Sequence, residues 1–375
     1  MKAYTDLVPR LLELAVNIQQ IPAPTFAEAH RADFVCRRFK EHGLRDVSVD
    51  GTGNVYARYP GANKKPALVV TAHTDTVFPL ETDLRIKQEA NRISAAGIGD
   101  NSLGVAALFG ILWAMESRAS RGDAPKSLPG DLWLVANTAE EGLGNLAGMQ
   151  AVVDRFGDGV LAYLVLEGMA LGQVYHRALG VSRYRITVST AGGHSWVDYG
   201  SPSAVHELAR LITDLSAMPL PGSPRTTMNV GMVQGGTSIN TIAPHAHMEL
   251  DLRSESDAML RELVSRVCKR VRDANRPGVS VDWELIGERP AGSLPVDHPL
   301  IRLVTREIAA LGIQPVLSIG STDANIPLSR GLPAVCLGIT SGGGAHTVDE
   351  YIHIAPIAQG LQQLLAVIEA AFDQL

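Results

Sequence analysis

Continuous apolar runs, each followed by a helical segment, constrain this chain more than any other feature. "DLWLVAN" (131–137) and "VLAYLVLE" (160–167) carry almost no polar alternation, and neither does "ALVV" (67–70). A strand can be apolar at successive residues only if both of its faces are covered. Helices between such strands supply the cover, so the pattern predicts an α/β fold with a mostly parallel sheet flanked by helices. "LGVAALFGILWAMES" (103–117) is apolar on most faces and is predicted to be a largely buried helix. "DVSVD" and "NVYARY" read as further strands, and "LGNLAGMQAVVDRF" as a further helix.

The pattern changes near Gly180. "VSRYRITVST", "SAVHELARLITDL", "TTMNVGMVQGG", "APHAHMELDLRS", "DAMLRELVSRVCKRVRDA" and "VSVDWELIG" read as β-α-β-β-α-β, the ferredoxin-like plan. After "ERPAGSLPVDHP" the first pattern returns, with strands "PVLSIG" and "AVCLGIT" and a last helix that Pro356 can open. The chain therefore reads as one discontinuous α/β domain, 1–178 with 291–375, interrupted by a smaller domain at 179–290. No internal repeat is visible.

The remaining bulk properties narrow the class. With 375 residues, 46% of them apolar and 19% charged, the chain can bury a sizeable core. A net charge of −6 without a basic block argues against nucleic acid as a partner. Near the N-terminus, Val8, Leu11, Leu12, Ala15 and Ile18 fall at helical spacing and predict an amphipathic surface helix, not a leader segment. No apolar run reads as long enough to span a bilayer, so no membrane partner is expected. Cys36, Cys268 and Cys336 are scattered, with no CxxC, which fits a reducing cytoplasm and leaves any metal to His, Asp and Glu. "IPAPTFAE" suggests a capping box, Thr25 with Glu28, opening a helix to about His42. "SRASRGDAPKSLPG" (117–130) reads as a polar loop.

Polar residues recur where the apolar strands end. His73 and Asp75 follow "ALVV", Asp100 sits in "GIGDNSLG", Glu140 and Glu141 follow "LWLVANTA", Glu167 ends "AYLVLE", and His346 lies in "SGGGAHTVDEY". In an open parallel sheet the ligand site lies beyond the carboxyl ends of the strands, which would collect these segments. Singly, each has an ordinary reading. His73 and Asp75 are equally a capped loop, Asp100 a helix N-cap, and His346 and Glu167 a loop residue and a strand-end charge. The Glu140–Glu141 pair is less comfortable, because two like charges after a buried strand repel unless cations or protons relieve them. "GIGDNSLG" is neither GxGxxG nor a phosphate loop, and no GxSxG occurs. Together, two histidines and three carboxylates suit zinc, cobalt or manganese. A further glutamate that binds no metal is what metal-assisted hydrolysis needs to move a proton.

With these motifs in place, the chain resembles the two-zinc exo-hydrolases that include peptidase T, glutamate carboxypeptidase, acetylornithine deacetylase and succinyl-diaminopimelate desuccinylase. The matching features are "HTD" (73–75), Asp100 before a helix, "EE" (140–141), the acid at 167, "GAHTVDE" (344–350), "GSTDAN" (320–325) and the inserted domain. The resemblance implies that His73 and Glu167 hold one ion, Glu141 and His346 the other, with Asp100 bridging and Glu140 as general base. It implies Asp75 as the residue that orients His73. In the inserted domain, which it makes a lid and dimerisation domain, it implies substrate contacts from His194, Asn240 and Arg253. His194 would stabilise an oxyanion, and the Arg253 fork would suit a substrate carboxylate. The implied activity is cleavage of an amide next to a free terminus or carboxylate, as an exopeptidase on short peptides or, alternatively, a deacylase on N-acyl amino acids. The implied cofactor is a pair of divalent ions, zinc first, with cobalt or manganese as alternatives, and the implied assembly is a homodimer. A non-catalytic binding protein on the same fold is the third reading, disfavoured because the metal set and base are complete. Many relatives carry Asp-x-Lys-Gly where this chain has "DNSLG", which removes no ligand but weakens transfer of any one relative's substrate preference.

Overall fold

The computed structural model describes residues 2–62, 64–122 and 127–375. The chain separates into two compact units, 1–178 with 292–375, and 179–291.

The first unit is built on a nine-stranded sheet. Four parallel strands form its centre, in the order Leu132–Asn137, Ala67–His73, Val160–Glu167, Ala334–Gly338. The flanks are antiparallel: Arg45–Val49 and Val55–Tyr59 on one side, Gln173–Ala178 and Gly292–Ser293 on the other. Val316–Gly320 adds a parallel strand against Gln173–Ala178. The continuous apolar runs thus mark the parallel centre, and the shorter outer strands turn back beside it.

Leu68 to His73 are all buried, so both faces of this strand are covered. Each such aliphatic side chain contributes about 1.5–3 kcal/mol by leaving water. The helix Leu103–Arg121 supplies much of the cover, packing against Ala67–His73, Val160–Glu167, Val8–Gln19 and Ile357–Gln374. With the turn before it, Ile98–Arg121 is long and apolar enough to cross a membrane, contrary to the sequence reading, yet 89% of its most apolar stretch is buried inside the unit. The same helix runs into the expected 117–130 loop as far as Arg121, and residues 123–126 of that loop lie outside the described residues. In the N-terminal helix the buried stripe is Val8, Leu11, Leu14, Ala15 and Ile18, with Leu14 in place of Leu12.

Register decides where the site forms. His73 stands opposite Asn137, and Gly338 opposite Glu167, so the central strands end level with one another. A small sheet not foreseen from sequence, Gly342–Gly343, Tyr351–His353, Arg92–Ser94 and Lys87–Glu89, joins the loop of His346 to the approach to Asp100.

The second unit has the expected β-α-β-β-α-β order. Its antiparallel sheet runs Thr226–Gly235, His245–Ser254, Gly180–Thr190, Val279–Arg289. Helices Ala204–Ser216 and Asp257–Asp273 pack on it over a separate core that includes Ile186, Val188, Leu211, Met248, Leu250 and Leu263. A two-residue ribbon, Gly193–His194 with Thr241–Ile242, stands beside this sheet.

Candidate metal centre

His73 closes the central strand Ala67–His73 and is 1% exposed. Its Nδ1 lies 3.1 Å from the Asp75 carbonyl oxygen. A carbonyl can only accept, so a neutral His73 carries its proton on Nδ1 and offers the Nε2 lone pair. That Nε2 faces Asp100 Oδ1 at 3.1 Å and Glu167 Oε2 at 3.6 Å. The Asp75 carboxylate faces the same nitrogen, with Oδ1 3.4 Å from Nδ1. The carboxylate itself accepts from the N–H groups of Glu140 (3.0 Å) and Glu141 (2.9 Å) and from the Thr25 hydroxyl (2.9 Å). Asp75 thus ties the end of one strand to the acidic pair after its neighbour.

Asp100 sits in a turn that begins at Gly97, whose φ of +72° is left-handed. Glu350, absent from the site residues expected from sequence, shapes this turn: its carboxylate accepts from the N–H groups of Gly97 (3.2 Å), Gly99 (2.6 Å) and Asp100 (2.8 Å). Burial pushes Glu350 up to about 7, opposed by these same bonds. Asn101 fastens the turn to the Glu167 strand, donating to Leu166 O at 2.8 Å and accepting from Gly168 N at 2.9 Å. Only glycine fits at 168, because a Cβ there would lie 2.2 Å from the Gly99 carbonyl oxygen.

His346 occupies a left-handed position (φ +64°) in the loop before Tyr351–His353. Its Nε2 lies 3.2 Å from Asp100 Oδ2 and 3.4 Å from Glu141 Oε1, and its side chain is 56% exposed. The ligand-type atoms fall into three overlapping groups: His73–Asp100–Glu167, His73–Glu140–Glu141 and Asp100–Glu141–His346, with atoms within 4.8 Å of one another. The strand-end residues expected from sequence are thus brought together.

The cluster is short of positive charge. Burial opposes a charged His73, but Glu167, Asp100 and Asp75 outweigh it and raise its pKa well above the ordinary value. Hydrogen bonds to Asp100 and Glu141 push His346 up to about 10. Burial would raise the Asp100 carboxyl, yet its two imidazole partners hold it well below the usual carboxylate range. Burial pushes Glu167 up to about 7; His73 pulls against this, while Asp100 and Asp323 add to it. Two imidazoles set among several carboxylates make a place where positive charge is favoured. The nitrogen and oxygen donors suit borderline divalent ions, so the residues fit a metal pair.

Thr25 and Glu28 do not form a capping box. The helix Ala29–Glu41 starts without a side-chain cap, and Glu28 Oε1 instead accepts from Ala139 N at 3.1 Å. The buried Asn137 and Asp323 are joined at 2.7 Å below the same strand ends, which gives the Asp of "GSTDAN" a supporting contact.

In the second unit, His194 and Asn240 are neighbours on the ribbon, with Ser195 N donating to Asn240 O at 3.1 Å. His194 Nδ1 accepts from the N–H groups of Trp196 (3.2 Å) and Val197 (3.4 Å), which leaves the proton of a neutral ring on Nε2. Arg253 lies away from this ribbon, on His245–Ser254. Its fork is engaged by Asp251, at 2.7 Å through Nε and 3.2 Å through Nη2.

Comparison with known proteins agrees with this architecture. The chain is similar to the protein YqjE of Bacillus subtilis, 22% identical over 379 residues, covering 96% of this chain and 98% of that one. Its fold is similar to a tripeptidase of Staphylococcus aureus (TM-score 0.81, 22% identity, 98% and 99% of the two chains). It is also similar to the Bacillus subtilis YXEP protein, described as a dinuclear metal binding peptidase (TM-score 0.70, 17% identity, 100% of both chains). Residues 69–370 match peptidase family M20/M25/M40, and the chain belongs to that family of amide-bond hydrolases.

Proposed function

We propose that this enzyme is an exopeptidase on short peptides that works with two divalent ions. The observation that carries the reading is the span of Asp100, whose Oδ1 meets the His73 imidazole at 3.1 Å and whose Oδ2 meets the His346 imidazole at 3.2 Å. A carboxylate placed between two such nitrogens is where one bridging ligand is needed. On this reading His73 and Glu167 hold one ion, Glu141 and His346 the other, and Asp100 both.

When bound, the ions polarise the scissile carbonyl and lower the pKa of a water. Glu140 would take a proton from the attacking water and return it to the leaving amine. Its backbone N–H is held by Asp75, so the base and the neighbouring ligand Glu141 are aimed by one carboxylate. Nε2–H of His194 is a donor of the kind that stabilises an oxyanion, and Asn240 and Arg253 complete the substrate contacts in this proposal. Zinc is the favoured ion because imidazole with carboxylate is a donor set that zinc accepts, and cobalt or manganese would also fit. The proposal places the enzyme in the cytoplasm. It includes a homodimer formed through 179–291, where the sheet-edge strand Thr226–Gly235 exposes Met232 and Val233.

The test is a screen of the purified protein with zinc, cobalt or manganese over dipeptides, tripeptides and N-acetyl amino acids. Peptides with free termini are expected to be cleaved fastest. Preference for N-acetyl amino acids would make the enzyme a deacylase, and no cleavage of either class would overturn the reading.

A further inference from the structure

The segment "TFAEAHR" carries Thr25, Glu28 and Arg31 at a constant spacing of three residues. A helix cap would account for the first two alone. In the fold none of the three caps the helix, and all three reach the strand ends that bear the candidate ligands. Thr25 Oγ1 donates to Asp75 Oδ2 at 2.9 Å. Glu28 Oε1 accepts from Ala139 N at 3.1 Å, with Glu28 6% exposed. Arg31, 2% exposed, donates through Nη1 to Thr74 O at 2.7 Å and through Nη2 to Ile21 O at 2.7 Å. The backbone is fixed alongside: Thr76 N donates to Ala23 O at 2.9 Å, and Pro24 bridges to Thr76 as a parallel pair.

Ala139 is where this matters most. It precedes Glu140 and holds a φ of +55°, a left-handed conformation that an alanine adopts at a cost. With Glu28 on Ala139 N and Asp75 on the next two N–H groups, three consecutive amides are captured by two carboxylates. These bonds fix the direction in which Glu140 and Glu141 leave the sheet.

We propose that Glu28 is a positioning residue for hydrolysis: it locks the left-handed turn at Ala139 and thereby aims Glu140, with Thr25 doing the same indirectly through Asp75. The inference rests on the assignment of Glu140 as base. The action of Glu28 is local to the acidic loop, so the His73–Glu167 side of the site should be indifferent to its loss.

The variants Glu28→Ala, Glu28→Gln, Thr25→Val and Glu140→Ala, each loaded with zinc, are compared for kcat, KM, bound-zinc stoichiometry and zinc affinity by titration calorimetry. Glu28→Ala is expected to lower kcat by about 10–100-fold with KM changed far less, and to weaken one of the two zinc sites while leaving the other. Glu28→Gln keeps an acceptor for Ala139 N and should recover most of the lost turnover. Thr25→Val should fall between Glu28→Gln and Glu28→Ala in kcat. Wild-type kcat in Glu28→Ala overturns the inference, as does equal loss in Glu28→Ala and Glu28→Gln. If Glu28→Ala does not fold, a Thr25→Val enzyme with wild-type kcat and zinc affinity overturns it. An active Glu140→Ala enzyme would instead sink the assignment of the base, whatever the Glu28 variants show.

Discussion

His73 and His194 both have Nδ1 engaged by backbone, but with opposite polarity. His73 Nδ1 faces the Asp75 carbonyl in the buried strand-end cluster, whereas His194 Nδ1 receives two N–H groups on an exposed ribbon. The first arrangement leaves Nε2 as a lone pair, and the second leaves it as a donor. In the proposed mechanism one residue type serves two tasks, binding a cation and meeting an anion, according to which backbone group its other nitrogen touches. The surroundings differ as sharply. His73 is held among carboxylates that are themselves held, by Glu350, Asn101, Asp75 and Glu28. Around His194 the side chains of Trp196, Val197 and Tyr199 are exposed at 86%, 76% and 90%.

This contrast can be broken by substitution. The largest effect is expected for His73→Ala, which removes a lone pair that no neighbour replaces: turnover should fall beyond the ~10⁴-fold that loss of a general base alone can cause. Bound zinc should fall with it, read by elemental analysis; full zinc content would show that His73 is not a ligand. Glu140→Ala should lower kcat by about 10²–10⁴-fold while both zinc ions remain. Its failure to do so would remove the division between ligand and base in the acidic pair.

His194→Ala tests the donor half of the comparison. Loss of one oxyanion donor is worth about 10²–10³-fold in kcat, with zinc content and KM little changed. A loss of zinc in this variant would mean that the two histidines are not so different after all. The smallest effect is expected for Arg253→Ala. Its fork is occupied by Asp251 and its side chain is 41% exposed, so a substrate carboxylate gains the fork only by displacing that pair, and KM should rise by no more than about tenfold with kcat little changed. An unchanged KM would remove Arg253 from the proposed substrate contacts.

Much of the site is legible along the chain because an apolar run fixes where a strand must stop. The polar residue just past that point falls at the sheet end where neighbouring strands also stop. His73, Glu140, Glu141 and Glu167 are readable in this way, and the β-α-β-β-α-β unit is readable from its periodicity. Thr25 and Glu28 show how a local rule misleads: the spacing of a capping box is present, but long-range partners claim both side chains. The signal that could have corrected it is Arg31, which continues the same three-residue spacing and has no place in a cap. The antiparallel flanks of the sheet were not legible either, because a short strand has no periodicity that encodes direction.

What the sequence alone determined is therefore the kind of sheet, the inserted unit and the inventory of candidate ligands at strand ends, since each depends on neighbours within a few residues. Only the tertiary structure decided how those ligands are aimed. Glu350 reaches the Asp100 amide across 250 positions, and Glu28 reaches Ala139 across 111. A hydrogen bond is specified by distance and direction in space, and both come from packing that brings distant segments together.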